Sequence, residues 1–423
     1  MSFGPSKFRR LAQMTGGFNH LPPTDRLVSR NCTRPIQQHD IKIDKWVYGG
    51  EGLARIDGRV VLVPNVLPGE TARIDFGKDV HASLVEVLTP APERVAPPCP
   101  LFTICGGCHY QHAPYEFQVA RKVEILREQL QRVGKIKFEG EIGVVSGPPL
   151  GYRNRAQFHV AEGKIGYLAA RSHELVPVEG ECPVSSPRLN QALAEMRSRL
   201  GDPRFPKFVQ AVEIFTDETD VQINVIETER AVARRFYEWC ESKQAIEYQT
   251  SFGTFRVSSK SFFQVNRFLV EKLVEAAIPE QGGESALDLY AGVGLFALPM
   301  ARRFQSVTAV ETGSSAAHDL EFNASRAGLA VKMEQARVED YLERLQATPE
   351  FVLADPPRAG LGKDVVVHLQ RLAPPRVTIV SCDPATLARD LAGLTGYKIE
   401  SLTMVDLFPQ TYHLETIAHL RKG

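Results

Sequence analysis

The stretch Asp288-Leu289-Tyr290-Ala291-Gly292-Val293-Gly294-Leu295-Phe296-Ala297 decides the fold. An apolar run over 286–290 leads into Gly292-x-Gly294-x-x-Ala297, the Ala-ending form of a Gly-rich turn between a strand and a helix. A second apolar run over 307–310 ends at Glu311, nineteen residues after Gly292 (311 − 292), where a carboxylate can accept two ribose hydroxyls. Further short runs at 331–334, 351–354 and 377–380 are each followed by a helical pattern, and two closing strands are expected near 398–405 and 413–420. Strict alternation of this kind predicts a doubly wound, Rossmann-like sheet with an antiparallel tail. The turn by itself suits NAD and S-adenosylmethionine (SAM) equally.

The tips of the later strands separate those two cofactors. After the fourth run comes Asp355-Pro356-Pro357-Arg358, a form suited to gripping a planar base or amine beside a methyl donor. A dehydrogenase has no use for it. After the fifth run comes Ser381-Cys382-Asp383-Pro384, with helical Ala385-Thr386-Leu387-Ala388-Arg389-Asp390 beyond. Cys382 is thus expected at a parallel strand tip beside a helix N-terminus, where ligands bind and where a thiolate is favoured over a thiol. A lone cysteine is more often buried filler; its neighbours here argue for chemistry.

The 423 residues suggest two to four domains. Lys+Arg and Asp+Glu balance at 50 each, which argues against a protein that coats nucleic acid by charge alone. No apolar run is long enough for a membrane span and no secretory signal pattern opens the chain. Seven cysteines, four of them in a metal-like pattern, fit a reducing cytoplasm better than a disulfide scaffold.

Residues 1–40, where six basic residues outnumber Asp25 and Asp40, are expected to be a flexible basic extension. From 41 to 92, five short alternating segments are divided by Gly49-Gly50, Asp57-Gly58, Pro68-Gly69 and Gly77-Lys78, which predicts a small barrel of the OB type. Residues 93–250 form a mixed α+β middle region containing Cys99, Cys105 and Cys108 at C-x5-C-x2-C. Cys182, in Glu181-Cys182-Pro183-Val184, is the candidate fourth ligand, with His109 in reserve; four thiolates suit zinc or an iron–sulfur cluster, and spacing alone does not choose. The radical-SAM spacing is not met. Across 121–175 ten basic residues face six acids, and Tyr152-Arg153-Asn154-Arg155 interleaves an aromatic with arginines, so Arg153 and Arg155 are candidate RNA contacts. Residues 251–423 complete the catalytic domain.

The segments Ser261-Phe262-Phe263-Gln264-Val265-Asn266, 288–296, Asp355-Pro356-Pro357-Arg358-Ala359-Gly360, 381–390 and Phe408-Pro409-Gln410-Thr411-Tyr412-His413-Leu414-Glu415 together resemble the RNA uracil-5 methyltransferase family. Within it, the chain is similar to the kind that carries a TRAM domain and a four-cysteine cluster. The order Gly49-Gly50-Glu51-Gly52-Leu53, Val63-Pro64 and Leu67-Pro68-Gly69-Glu70 resembles the TRAM domain, and the likeness spans 41–423. The resemblance implies a multidomain α/β enzyme with an OB-like TRAM barrel, a central α+β iron–sulfur domain and a C-terminal SAM-dependent methyltransferase domain. It implies that Cys99, Cys105, Cys108 and Cys182 hold a [4Fe–4S] cluster, that Cys382 is the nucleophile and that Glu415 is the general base. SAM is expected against Gln264, Tyr290, Gly292, Gly294, Leu295, Glu311 and Asp355. Gln264 and Asp355 are also expected on the flipped uracil edge and Phe263 stacked on the base, with Arg153 and Arg155 on the RNA.

Carbon 5 of uracil is a poor nucleophile, which explains these residue types. Addition of a thiolate to carbon 6 makes carbon 5 an enolate carbon able to displace the methyl from the sulfonium, and a base must then remove the carbon-5 proton so that the thiolate is eliminated. The helix N-terminus is expected to raise the thiolate fraction of Cys382. Leu295, where asparagine is usual, and Arg337 are departures from the family pattern that affect cofactor contacts. The expected activity is SAM-dependent 5-methylation of uridine in structured RNA, 23S rRNA ahead of tRNA, by a cytoplasmic monomer with no membrane association. RNA cytosine-5 methylation and a non-catalytic RNA-binding assembly role are the alternatives; intact Cys382, Glu415 and the Gly-rich turn speak against the latter.

Overall fold

The computed structural model describes residues 37–77 and 79–423. Its largest element is an eight-stranded sheet in the order Val331–Gln335, Phe304–Glu311, Gly283–Leu289, Phe351–Ala354, Arg376–Ser381, Glu415–Lys422, Tyr397–Val405, Ile142–Val145. The first five are parallel, and all four residues of Phe351–Ala354 are buried, as a central strand covered on both faces requires. Glu415–Lys422 runs antiparallel between Arg376–Ser381 and Tyr397–Val405. The expected antiparallel tail is therefore inserted into the sheet, and the first residue of its strand, Glu415, lies at the same end as the parallel strand tips.

The eighth strand departs from the expected domain division. Ile142–Val145 lies inside the segment expected to be central, yet it pairs parallel with Tyr397–Val405, Ile142 opposite Leu402. The helix Tyr115–Arg132 goes with it: Ile125, Leu126 and Leu130 share a core with Leu387 and Ala388 of the helix Pro384–Gly393. The approach is so close that a Cβ on Gly134 would meet the Ala388 carbonyl oxygen at 2.6 Å. The hairpin Ala245–Thr250 with Gly253–Ser258 spans the expected boundary at 250. This hairpin is fastened to the helix Ser314–Ala327, whose Asp319 and Asn323 side chains accept from the Ser258 and Arg256 amides.

The N-terminal barrel has six strands, one more than expected, in two three-stranded sheets. The additional strand is Lys45–Val47, and the first strand, Gln37–Lys42, begins before the expected boundary at 41. The rest of the expected basic extension, residues 1–36, lies outside the described residues. Asp57 (φ 49°) and Gly58 (φ 79°) both adopt the left-handed conformation that a two-residue hairpin turn between Glu51–Ile56 and Arg59–Pro64 demands. A separate five-stranded antiparallel sheet, in the order Leu175–Pro177, Lys164–Leu168, Arg155–Ala161, Val209–Thr216, Val221–Thr228, packs on the helix Pro187–Arg199. Among the described residues, no helix is long and apolar enough to cross a membrane.

Candidate active site and cysteine chamber

At the end of Gly283–Leu289 the chain turns through three residues of positive φ, Tyr290 (64°), Gly292 (55°) and Gly294 (92°). A side chain at Gly294 would strike Leu298 at 2.7 Å and Leu320 at 3.1 Å, so the turn can close only with glycine there. Glu311 holds the turn. One of its oxygens accepts from the Gly292 amide (2.9 Å) and the other from the Gly313 amide (2.6 Å), placing the carboxylate at the mouth of the turn. The Leu295 side chain instead belongs to the apolar core, so its expected cofactor contact is restricted to its backbone. Arg337 is exposed and precedes the helix Val338–Arg344. Asp288 is absent from the residues expected at the site: it is fully buried under the turn, with the Ala297 amide directed at its carboxylate. Burial and the neighbouring Asp355 push its carboxyl well above the ordinary range. An acid inside an apolar strand was the available signal.

The next tips carry Asp355, Cys382 and Glu415. Leu353 pairs with Thr378 and Ser381 with Thr416, so the three residues leave one end of three adjacent strands. Burial pushes Asp355 up to about 7, and burial together with Asp355 pushes Glu415 well above the usual carboxylate range. The Cys382 thiol is pushed up to about 12, by burial first and then by Glu415, with Arg358 opposing and Asp355 and Asp383 adding. The thiolate-favouring helix end expected from the sequence is thus overcome. Asp383 caps that helix itself, one oxygen accepting from the Ala385 and Thr386 amides (2.9 Å each), which places another carboxylate next to the sulfur. Its second oxygen accepts from the Tyr48 hydroxyl of the barrel at 3.1 Å.

Gln264 is buried near the same end, in the segment that Asn266 ties to the Leu407 carbonyl at 3.0 Å. Phe263 is 2% exposed and packs among Tyr248, Phe255 and Phe215, so it has no free face for a base. The exposed ring is its neighbour Phe262, at 61%. Arg155 is likewise internal: it pairs with Glu213 at 2.6 Å, donates to the Ser261 carbonyl at 2.9 Å and lies over the rings of Phe215 and Phe262. Its expected RNA contact is replaced by a structural role. Arg153 lines two cavities, a cleft of about 1030 Å³ between barrel, cysteine loop and central sheet, and a chamber of about 220 Å³.

That chamber is bordered by Cys99, Cys105, Cys108 and Cys182, all free thiols. The Gly106 amide donates to the Leu168 carbonyl, and the Cys182 amide to the Asn190 side chain at 2.9 Å, which fastens both ends of the set. Gly107 donates its amide toward the Cys105 sulfur at 3.4 Å. Burial pushes Cys108 up to about 12 and raises Cys99 and Cys105, and Cys182 adds to all three. His109, the reserve ligand, turns away to pack edge-on against Tyr412. Among the described residues no group of three or more His, Cys, Asp or Glu is arranged to hold a metal ion. The thiols surround the chamber rather than meeting at one point. Four soft donors, one amide aimed at a sulfur and the Arg153 charge border the chamber, a donor set whose chemistry suits a thiophilic metal.

A family model described as tRNA (uracil-5-)-methyltransferase matches residues 207–423. The 23S rRNA (uracil(1939)-C(5))-methyltransferase RlmD of Pectobacterium atrosepticum is 33% identical over 442 residues, covering 94% of this chain and 96% of its own. The protein of the same name from Halomonas elongata is 32% identical, covering 90% and 89%. Among solved structures, the Pyrococcus abyssi tRNA (uracil-54, C5)-methyltransferase in complex with S-adenosyl-L-homocysteine has a TM-score of 0.72 at 24% identity. It covers 90% of this chain and 100% of its own, and the two share a fold.

Proposed function

The chain belongs to the tRNA (uracil-5-)-methyltransferase family and is a SAM-dependent RNA uracil-5 methyltransferase, and from that premise we propose that it works through a covalent Cys382–uracil adduct resolved by Glu415. The observation that carries this reading is the placement of a thiol and a buried carboxylate at one end of a directly paired strand couple, with Asp355 on the next strand. SAM, when bound, supplies an electrophilic methyl group. Gly292, Gly294 and the Tyr290 backbone shape its turn, Glu311 meets the ribose, and Leu295 contributes its backbone. Asp355 and Gln264 hold the uracil edge or the amine of the donor.

The Cys382 sulfur adds to carbon 6 and the electron pair of the C5–C6 double bond moves toward the carbon-4 oxygen. Arg358, the cation that opposes the surrounding carboxylates, favours the thiolate needed for attack. Once carbon 5 carries the methyl group, Glu415 takes its proton. The electrons re-form the C5–C6 double bond, and the sulfur leaves as thiolate. Phe262, in place of Phe263, offers the ring on which a flipped base stacks.

Cys99, Cys105, Cys108 and Cys182 are proposed ligands of a [4Fe–4S] cluster that fixes the 99–112 segment beside the catalytic loop. The proposed substrate is 23S rRNA, supported by the RlmD relatives that match over 94% and 90% of this chain. It is held by the barrel as an RNA-binding TRAM domain and by the cleft bearing Arg153. The reading includes a monomer in the reducing cytoplasm, where free thiols persist. Labelled SAM, incubated with rRNA and with tRNA from a strain lacking the protein, tests it. 5-Methyluridine in rRNA is expected. Label in tRNA alone overturns the substrate, and label in cytosine overturns the chemistry.

A further inference from the structure

The loop between Tyr397–Val405 and Glu415–Lys422 brings Glu415 to the sulfur, and a distant helix holds it. Lys122 of Tyr115–Arg132 is 0% exposed and sends its ammonium into this loop. It donates to the Asp406 carboxylate at 2.6 Å, the Phe408 carbonyl at 3.0 Å and the His413 carbonyl at 2.8 Å. Three donors meet three acceptors, one at the loop's start, one within it and one two residues before Glu415. One helical turn earlier, Gln118 exchanges two bonds with Gln410, donating to its side-chain oxygen at 2.9 Å and accepting from its amide at 3.1 Å. Bare charge pairing would require one contact. Here two of the three go to backbone carbonyls, whose positions set the path into Glu415.

We propose that Lys122 is a positioning residue for proton removal from carbon 5, acting through the backbone of the loop 406–413 and touching no substrate itself. This rests on the reading of Glu415 as the base. With the loop released, Glu415 loses its alignment on the carbon-5 proton, while addition of Cys382 and methyl transfer go on. The C6–S bond then persists, because it breaks only as the proton leaves carbon 5 for the carboxylate.

The test uses the full chain with the double substitution Lys122→Met/Asp406→Leu, which removes both members of the pair and leaves no unpaired buried charge. Lys122→Gln/Asp406→Asn serves if the first does not fold. The expected result is unchanged KM for SAM and RNA, kcat lowered at least about tenfold, and a covalent RNA–protein adduct accumulating on denaturing gels. Wild-type kcat, or a lowered kcat without adduct, overturns the proposal. Glu415→Gln in the same assay separates the two readings. No adduct there faults Glu415 as the base, whereas adduct there and none in the double variant faults Lys122 alone.

Discussion

Cys382 and Glu415 stand at the same end of two directly paired antiparallel strands, and after burial the Glu415 carboxylate is the largest influence holding the Cys382 thiol up to about 12. The free enzyme therefore keeps its nucleophile protonated, and its sulfur is shielded from oxidation and stray alkylation. Replacing Glu415 by Gln removes the charge and lowers the thiol's pKa. Replacing Arg358 by Ala removes the opposing cation and raises it. At a pH well below the pKa, the thiolate fraction grows about tenfold for each unit by which the pKa falls. Iodoacetamide labelling of the Cys382 peptide, followed by mass spectrometry from about pH 7 to about pH 10, is expected to rise at lower pH in Glu415→Gln and at higher pH in Arg358→Ala. Coincident curves would remove the electrostatic account.

Asp355 gives a stability signature of the opposite sign to a salt-bridged acid. Burial raises its pKa from 3.8 to about 7, so the folded chain holds this proton more tightly than the unfolded chain does. Between those two values the folded state binds more protons, and stability falls as pH rises. Asp355→Asn carries no such penalty. Its Tm is expected to equal the wild type near pH 4, to exceed it increasingly as pH approaches about 7, and to keep that margin above, while methyl transfer is lost. A margin that shrinks with rising pH would contradict the burial argument.

The catalytic sheet was legible because its cues are local. Phe351–Ala354 forms where the apolar run is, and the Gly-rich turn adopts the positive φ angles its glycines permit. What the sequence hid depends on distant partners. Ile142–Val145 is four ordinary residues until Leu402 lies beside it, and Lys122 is one more surface cation on a basic helix until Asp406 encloses it. The pKa of Cys382 depends first on its burial and next on Glu415, which the strand pairing of Ser381 with Thr416 brings alongside.

The adjacent pair Phe262 and Phe263 sits in an irregular segment, where no period tells inside from outside. Their substitutions should separate cleanly. Phe263→Ala removes a ring packed against three aromatic neighbours and is expected to cost about 3–5 kcal/mol of stability by denaturant titration. Phe262→Ala, at an exposed ring, is expected to change stability by less than about 0.5 kcal/mol. It should weaken RNA handling by about 1–3 kcal/mol, read as a loss in kcat/KM for RNA at constant SAM affinity. The reverse pattern would return the stacking role to Phe263.

The cysteine chamber makes the remaining prediction, and its readout does not depend on turnover. Cys99, Cys105, Cys108 and Cys182 border one cavity, and the loop bearing the middle two continues into His109 and Tyr110, whose amides donate to the Gln410 carbonyl at 2.8 and 3.0 Å. A group bound by the four thiolates would therefore brace the catalytic loop through Gln410, the residue that Gln118 also holds. Protein purified without oxygen is expected to show broad visible absorption and acid-labile sulfide. Cys182→Ser should lose both and lower Tm, because the chamber's far wall is then released, while SAM affinity stays unchanged at the remote Gly-rich turn. Colourless anaerobic protein carrying stoichiometric zinc would replace the cluster with a single-ion site and require the thiols to converge.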